Sequence, residues 1–186
     1  MDRRVKYTKK VIKETLITLL NEKEINKITV SEICKIADIN RATFYRYYLD
    51  AYDLLDKIKE EFVGELIEAS QRPDTKKSVY NFAKGLLIVL ENNRSLAKIL
   101  FNNKSNIYFL NEILEIAYNR CKKRWFDNLA DLNEKDADYA SVFIFNGALG
   151  IVNYWVQNDF DVTLEEIANI IEELSYYGVR TFIYKK

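Results

Sequence analysis

Histidine is absent from this 186-residue chain, which also holds only two cysteines, one proline and five glycines. Without histidine there is no Ser–His–Asp triad, no Cys–His pair and no histidine-containing zinc site, and two cysteines cannot complete a cysteine-only zinc site. Neither GxxxxGK[ST] nor GxGxxG occurs to cradle a phosphate group. Carboxylates remain, but nothing singles out a catalytic pair. We therefore expect no enzyme active site, no metal and no cofactor.

The two cysteines and the hydrophobic runs bear on the compartment. Cys34 and Cys121 lie far apart with no motif around either. This is typical of buried, reduced thiols in a cytosolic protein, and a disulfide between them is the less favoured alternative. The first ten residues are charged and polar, so no signal peptide is predicted. The longest apolar stretch, residues 142–156, is shorter than the roughly 20 residues of a membrane span and contains two asparagines. We expect a cytoplasmic protein with no membrane partner.

So few helix breakers leave little room for hairpins, and the spacing of apolar residues predicts an all-α fold. We expect an N-terminal head of three helices over residues 1–49, a long connector helix over 50–72 and a helical C-terminal domain over 73–186. The first helix is expected over 6–22. The C-terminal domain is expected to contain helices over 75–92, 95–102, 106–131, 134–158 and 163–183. Thr163, in a T-x-x-E pattern with Glu166, is expected to cap the last of these.

The formal net charge of +0 hides an uneven distribution. Residues 1–49 hold 11 Lys/Arg and 6 Asp/Glu, a balance of +5, and the remainder of the chain carries the compensating −5. A basic head on an acidic body indicates a polyanionic partner for the head only.

The segment between Thr29 and Tyr48 predicts two short helices joined by a tight turn. Thr29-x-x-Glu32 is a capping box for the first helix, Asp38 suits a left-handed turn and Asn40 suits the N-cap of the second helix. Two short helices after a longer one are typical of a helix-turn-helix, whose second helix enters the major groove of DNA.

The composition of this second helix suits a groove. Its small residues allow a close approach, Arg41 can donate to guanine, and tyrosine hydroxyls can donate to phosphates. Phe44 and Tyr48 share a face and are expected to anchor the helix in the head. An exposed hairpin with no partner is the less favoured interpretation; Arg46 could simply face solvent, and Tyr47 could pack. The candidate DNA-binding residues are Thr29, Ser31, Asn40, Arg41, Ala42, Thr43, Tyr45, Arg46 and Tyr47.

Residues 29–55, TVSEICKIADINRATFYRYYLDAYDLL, resemble the DNA-binding signature of the tetracycline-repressor (TetR/AcrR) family of bacterial transcription regulators. The resemblance rests on the T-x-x-x-I start, the alanine and isoleucine flanking the turn, and Thr43-Phe44-Tyr45-x-Tyr47-Tyr48. It implies a homodimer that binds a palindromic double-stranded DNA operator, usually as a repressor. It also implies an effector in the C-terminal domain that tilts the heads through the connector helix.

Two positions depart from that family pattern. Asp38 stands in the turn, where the family usually has glycine. Ala51 stands at the start of the connector, where the family usually has a lysine that touches phosphate. That contact could pass to a neighbour such as Lys57.

Phe145-x-Gly147-x7-Trp155, followed by Thr163-Leu-Glu-Glu-Ile167, resembles the C-terminal domain of Firmicutes-type members of the same family, which dimerises. The predicted helix over 134–158 is apolar on two flanks, so one flank can serve its own core and the other a second copy. A thick monomeric core is the less favoured alternative. The candidate dimer-interface residues are Phe143, Gly147, Ile151, Trp155, Ile167, Ile171 and Leu174.

A polar line on this helix has two interpretations. It could line an effector cavity together with nearby aromatic residues, or it could form a hydrated stripe at the dimer edge, which is favoured. Control by a partner protein instead of a small molecule stays open, as does the less favoured possibility of an enzyme with a helical pocket. The candidate effector-binding residues are Phe101, Tyr108, Trp125, Phe126, Asn146 and Asn153.

Overall fold

The computed structural model describes residues 3–72, 78–102 and 134–183, together with the single positions 111, 113, 115 and 118. All regular structure in these residues is helical, which confirms the all-α prediction. The helices are α1 Arg3–Leu20, α2 Val30–Ile36, α3 Arg41–Tyr45, α4 Ala51–Gln71, α5 Val79–Asn92, α6 Arg94–Asn102, α7 Glu134–Gln157 and α8 Leu164–Ile183, with a 3-10 turn at Ile25–Lys27.

Most of the predicted helix over 106–131 lies outside the described residues, although its four described positions are helical. The chain divides into two compact units, Met1–Gly64 and Glu65–Lys186. This division falls within α4, whereas the sequence suggested a separate connector over 50–72. The functional division into a head over 1–49, a connector over 50–72 and a C-terminal domain over 73–186 remains a prediction.

The first unit has an apolar core. Ile12 and Leu16 of α1, Ile33 of α2, Phe44 of α3 and Leu54 of α4 are each 0% exposed. Each helix of this unit therefore contributes at least one fully buried side chain. The short helices α2 and α3 depend on these contacts, because isolated helices of their length are unstable in water.

In the second unit, α5 packs against α8, and α7 packs against both α6 and α8. Trp155 stabilises the connection between α7 and α8. Its indole N–H donates to the Val162 carbonyl at 2.9 Å. Its ring also meets the Phe160 ring edge-on, with 4.7 Å between ring centroids. Asp159 and Phe160 have positive φ angles of 63° and 58°. Aromatic packing thus holds a left-handed backbone that costs non-glycine residues free energy.

The start of α8 confirms a predicted cap. The Thr163 hydroxyl accepts from the Glu166 N–H at 3.2 Å, and a Glu166 carboxylate oxygen accepts from the Thr163 N–H at 2.8 Å. This reciprocal pair is a complete capping box.

Residues Lys135–Gln157 of α7 are long and apolar enough to cross a membrane by length and composition, and 33% of the qualifying window is buried in the fold. The core helix of a soluble protein can pass the same test, so this observation alone is weak evidence for a span.

Candidate nucleic-acid interface

The start of α2 forms half of its predicted capping box. The Thr29 hydroxyl accepts from the Glu32 N–H at 3.2 Å. The Glu32 carboxylate instead accepts from the Lys23 ammonium at 2.5 Å. Glu32 therefore links α2 to the segment that precedes it.

The turn between α2 and α3 has one of the two hydrogen bonds of a Schellman motif and contains no glycine. Asp38 has a φ of 50°, and the Ile39 N–H donates to the Cys34 carbonyl at 3.0 Å. This confirms the expectation that Asp38 adopts the left-handed conformation. Burial raises the pKa of the free Cys34 thiol, although the nearby Arg41 charge opposes that shift.

Asn40 caps α3 as expected. Its side-chain oxygen accepts from the Thr43 N–H at 2.7 Å and from the Thr43 hydroxyl at 2.8 Å. The helix ends at Tyr45, before the expected end at Tyr48. The Asn40 side-chain oxygen is thus engaged within the head, and its amide N–H groups remain the donors it could offer to DNA.

The recognition segment, residues 40–48, separates anchors from outward-facing side chains. Phe44 and Tyr48 are buried, which confirms their predicted role as anchors. Tyr45 is 55% exposed. Thr29, Asn40, Arg41, Ala42 and Arg46 are also exposed, and Ser31, Thr43 and Tyr47 are partly buried.

Arg41 has a partner within the head, because its guanidinium donates to the Ser31 hydroxyl. This bond joins the outward sides of α2 and α3. Two residues predicted independently as DNA contacts are therefore in direct contact with each other.

A lysine–aspartate pair closes the end of the recognition segment. The Lys57 ammonium donates to the Tyr47 carbonyl at 3.1 Å and to a carboxylate oxygen of Asp53 at 2.9 Å. The same Asp53 oxygen accepts from the Leu49 N–H at 2.9 Å. The hydrogen bond from Lys57, followed by that from the Leu49 N–H, lowers the pKa of Asp53. Lys57 therefore has partners within the head, and Ala51, at the start of α4, is buried.

The second unit contains a partly open apolar cavity of about 80 Å³. Leu66, Phe82, Leu87, Phe101 and Phe145 are among its lining residues, and Ser175 is the one polar side chain among the described residues that line it. Its walls match the apolar parts of a ligand.

The structure separates the predicted effector-binding residues. Phe101 lines the cavity, but Asn146 and Asn153 do not. The Asn146 amide donates to the Val142 carbonyl at 2.8 Å, and the Asn153 side-chain oxygen accepts from Gln157 at 3.0 Å. Both asparagines are bonded along their own helix, which favours the alternative of a hydrated stripe. Tyr108, Trp125 and Phe126 lie outside the described residues.

The predicted dimer-interface residues also fall into two groups. Trp155, Ile167 and Ile171 are between 1% and 5% exposed. We therefore assign these three side chains to the core of their own chain, because a second copy could not reach them directly. Phe143, at 65% exposed, and Leu174, at 58%, face outward.

The outward apolar face on α7 and α8 is completed by further residues. Gly147 is exposed and Ile151 is partly exposed. We call this surface the α7–α8 face; its members are Phe143, Gly147, Tyr154, Ile170, Leu174 and Tyr177. Tyr154, Ile170 and Tyr177 were missed at the sequence level, although they lie three or four residues from predicted members, the spacing of one helix face.

Sequence reasoning also missed the Asp53–Lys57 pair and most of the cavity lining. The i, i+4 spacing of Asp53 and Lys57 was a usable signal for their contact. The lining residues had no comparable signal, because core and cavity positions share one apolar pattern. Among the described residues, no group of three or more potential ligands could hold a metal ion.

In this all-helical fold, α3 is capped, follows α2 after a tight turn and presents exposed side chains. This arrangement is typical of helix-turn-helix DNA-binding transcription regulators. Comparison with known proteins narrows this class. The model of the TetR_C_8 family, described as a transcriptional regulator C-terminal region, matches residues 77–177. The chain belongs to the TetR family of transcriptional regulators.

A curated relative supports the regulator class. The HTH-type transcriptional regulator YxbF of Bacillus subtilis strain 168 is 34% identical over 68 residues. The match covers 34% of this chain and 18% of YxbF. This chain therefore spans only a minor part of that relative's length.

Solved structures share the fold. The dihydroxyacetone kinase operon activator DhaS is 21% identical, with a TM-score of 0.67, over 94% of this chain and 97% of its own. The transcriptional regulator FadR from Bacillus subtilis, in complex with stearoyl-CoA, is 22% identical, with a TM-score of 0.66, over 89% of this chain and 96% of its own. At these identities the likeness supports the fold alone.

Proposed function

We propose that this protein is a cytoplasmic, homodimeric regulator, without enzymatic activity, that binds a palindromic DNA operator and represses transcription. The observation that carries the proposal is the recognition segment, in which Phe44 and Tyr48 are buried while Arg41, Ala42 and Tyr45 are exposed. A helix fixed by two anchors can present the same side chains to a groove each time it binds.

The α7–α8 face supports dimerisation. An exposed apolar surface of this kind is typical of an interface with another protein. Asn146 is exposed, and the Asn153 side chain is hydrogen-bonded to Gln157. Such polar groups suit the solvated rim of a protein interface better than a lipid environment. A second copy on this face would supply a second head, and two heads can read two half-sites about one helical turn, or a multiple of it, apart.

The apolar cavity supports an effector with an apolar part. Its volume of about 80 Å³ is small, so a bound ligand must widen it. A ligand that binds a widened state better shifts the population toward that state, and DNA affinity changes when the two states bind DNA unequally. Once widened, the apolar lining would suit an acyl chain, such as that of the stearoyl-CoA in complex with FadR.

Arg41→Ala provides the first test. We expect it to weaken binding to the operator by about 1–3 kcal/mol and to relax sequence preference, because a bidentate contact to guanine would be lost. The operator is first obtained by sequencing the genomic DNA fragments that the wild-type protein retains. Titration of wild type and variant against the operator and single-base variants then measures the preference.

Lys35→Ala is the control, since it removes a positive charge from an exposed side chain of the head that is not a candidate DNA contact; its sequence preference should stay that of the wild type. Failure of the wild type to enrich any sequence would overturn the proposed function. Unchanged affinity and preference in Arg41→Ala would place the reading residue elsewhere.

The effector proposal has a separate test. Long-chain acyl-CoA is expected to weaken operator binding by the wild type, as measured by fluorescence anisotropy. Ala148 lines the cavity. In Ala148→Phe, the larger side chain would fill the cavity. This variant should bind operator but respond less to the probe; an equal response would exclude the cavity as the effector site.

A further inference from the structure

Lys9 of α1 lies beside the recognition segment. Its ammonium lies over the Tyr47 ring, 5.4 Å from the ring centroid. Both side chains are partly buried. Tyr47 is a candidate phosphate contact, so this lysine brings a positive charge from a different helix to the same edge of the head.

Several other lysines of the head have carboxylate partners. Lys57 contacts Asp53, Lys23 contacts Glu32 and Lys10 approaches Glu14 at 3.7 Å. Lys9 makes no ion pair with any described residue. Its charge is therefore available to an external anion without breaking an existing salt bridge.

The neighbouring start of α4 cannot supply this charge. Its first turn contains Ala51, Tyr52 and Asp53, and Asp50 precedes it. The Asp50 side chain accepts from the Asp53 N–H at 2.8 Å. Two carboxylates thus lie at this point, and the Lys57 ammonium beside them is already bonded to Asp53 and to the Tyr47 carbonyl. A compensating cation must come from another element.

We propose that Lys9 is a DNA-phosphate contact, acting together with the Tyr47 hydroxyl at the end of the recognition segment. This inference rests on the proposed function and adds α1 to the DNA-contacting surface. A lysine ammonium is a mobile point charge on a long stem, and its position over an aromatic ring limits the conformations it must give up on binding. A phosphate contact of this kind adds affinity without reading a base.

The test uses the full chain and a short mixed-sequence DNA duplex, because a phosphate contact does not require the operator. Binding constants are measured by anisotropy over a range of KCl concentrations. Lys9→Gln should bind more weakly at low salt, and the slope of log K against log[KCl] should fall in magnitude by about 0.9 per bound head. Lys9→Arg should retain the wild-type slope.

Lys10→Gln is the matched control, because it removes the same charge one position along α1, where the lysine faces Glu14. It should keep the wild-type slope. Lys9→Gln should also lower the slope in a Tyr47→Phe background, since a direct phosphate contact does not depend on the tyrosine hydroxyl.

The outcomes separate the two proposals. A wild-type slope in Lys9→Gln, or loss of its effect in the Tyr47→Phe background, would overturn the Lys9 contact and leave the regulator proposal standing. Absence of any duplex binding by the wild type at low salt would overturn both.

Discussion

Asp53 connects three parts of the head through one carboxylate. It accepts from the Leu49 N–H ahead of α4 and from Lys57 one turn along α4, and Lys57 also bonds to the Tyr47 carbonyl. A change at this carboxylate should therefore alter both the stability of the head and the position of the recognition segment.

The stability contributed by Asp53 should depend on pH. Because its pKa is lowered in the folded state, the contribution is present above the ordinary aspartate pKa of about 3.9 and disappears as the pH falls through the lower folded value. Asp53→Asn should thus be less stable than wild type near pH 6, with the difference narrowing near pH 3. Urea unfolding followed by circular dichroism measures both differences.

Lys57→Gln is the control for this effect, because it removes the first cause of the lowered pKa while leaving the Asp53 carboxylate in place. It should reduce the acid-dependent loss of stability relative to wild type. A stability difference between Asp53→Asn and wild type that stays constant with pH would contradict the explanation.

At the scale of elements, the α2–α3 turn shows a left-handed position occupied by aspartate. A left-handed conformation costs a non-glycine residue about 1–2 kcal/mol. Aspartate reduces this cost, but glycine avoids it. Asp38 therefore allows the turn to form, but at a higher backbone free-energy cost than glycine would have.

Asp38→Gly should stabilise the head by up to about 1 kcal/mol, because relief of the backbone cost exceeds the added freedom of the unfolded chain. Asp38→Val should destabilise it, since a β-branched side chain fits this conformation poorly. Chemical denaturation of the two variants gives the comparison. Lower stability of Asp38→Gly than of wild type would mean that the aspartate side chain makes a contact worth more than the backbone cost.

Local chemistry explains which elements the sequence could predict. Thr29, Asn40 and Thr163 were identified as caps because a cap requires a particular side chain at a particular spacing, and each accepts the expected N–H. Phe44 and Tyr48 were identified as anchors from their i, i+4 spacing. These features are determined by neighbours along the chain.

Longer-range features could not be predicted in the same way. Trp155 and Phe143 both lie on one apolar helix, yet one is 1% and the other 65% exposed. Periodicity identifies two apolar flanks but does not say which flank meets the rest of the chain. The early end of α3 and the Lys23–Glu32 contact likewise depend on tertiary neighbours.

At the scale of the whole molecule, Gly147 offers a test of the proposed dimer. A β-carbon built at this position meets no atom of the described residues within 4 Å, apart from its own neighbourhood along the helix. A larger side chain there would project from the α7–α8 face without crowding its own core. The position therefore distinguishes an interface defect from a folding defect.

Gly147→Leu should weaken dimerisation by overpacking the interface, while leaving the stability of the chain unchanged or slightly raised, because leucine is the better helix former. Analytical ultracentrifugation over a concentration series measures the dimer dissociation constant. Gly64→Leu is the control, since Gly64 also has open space around it and lies outside the face. A Gly147→Leu dimer of undiminished strength would place the interface elsewhere.

The bond from Arg41 to Ser31 has a consequence for how selective the regulator can be. Arg41 must break its hydrogen bond to Ser31 before it can bind a base. A correct guanine therefore contributes only the surplus of its hydrogen-bond free energy over that of the serine bond. A wrong base does not supply hydrogen bonds that replace the bond to Ser31. At such a base the arginine keeps its serine partner, so the free-energy difference between right and wrong sites equals this surplus and is smaller than the whole guanine contact.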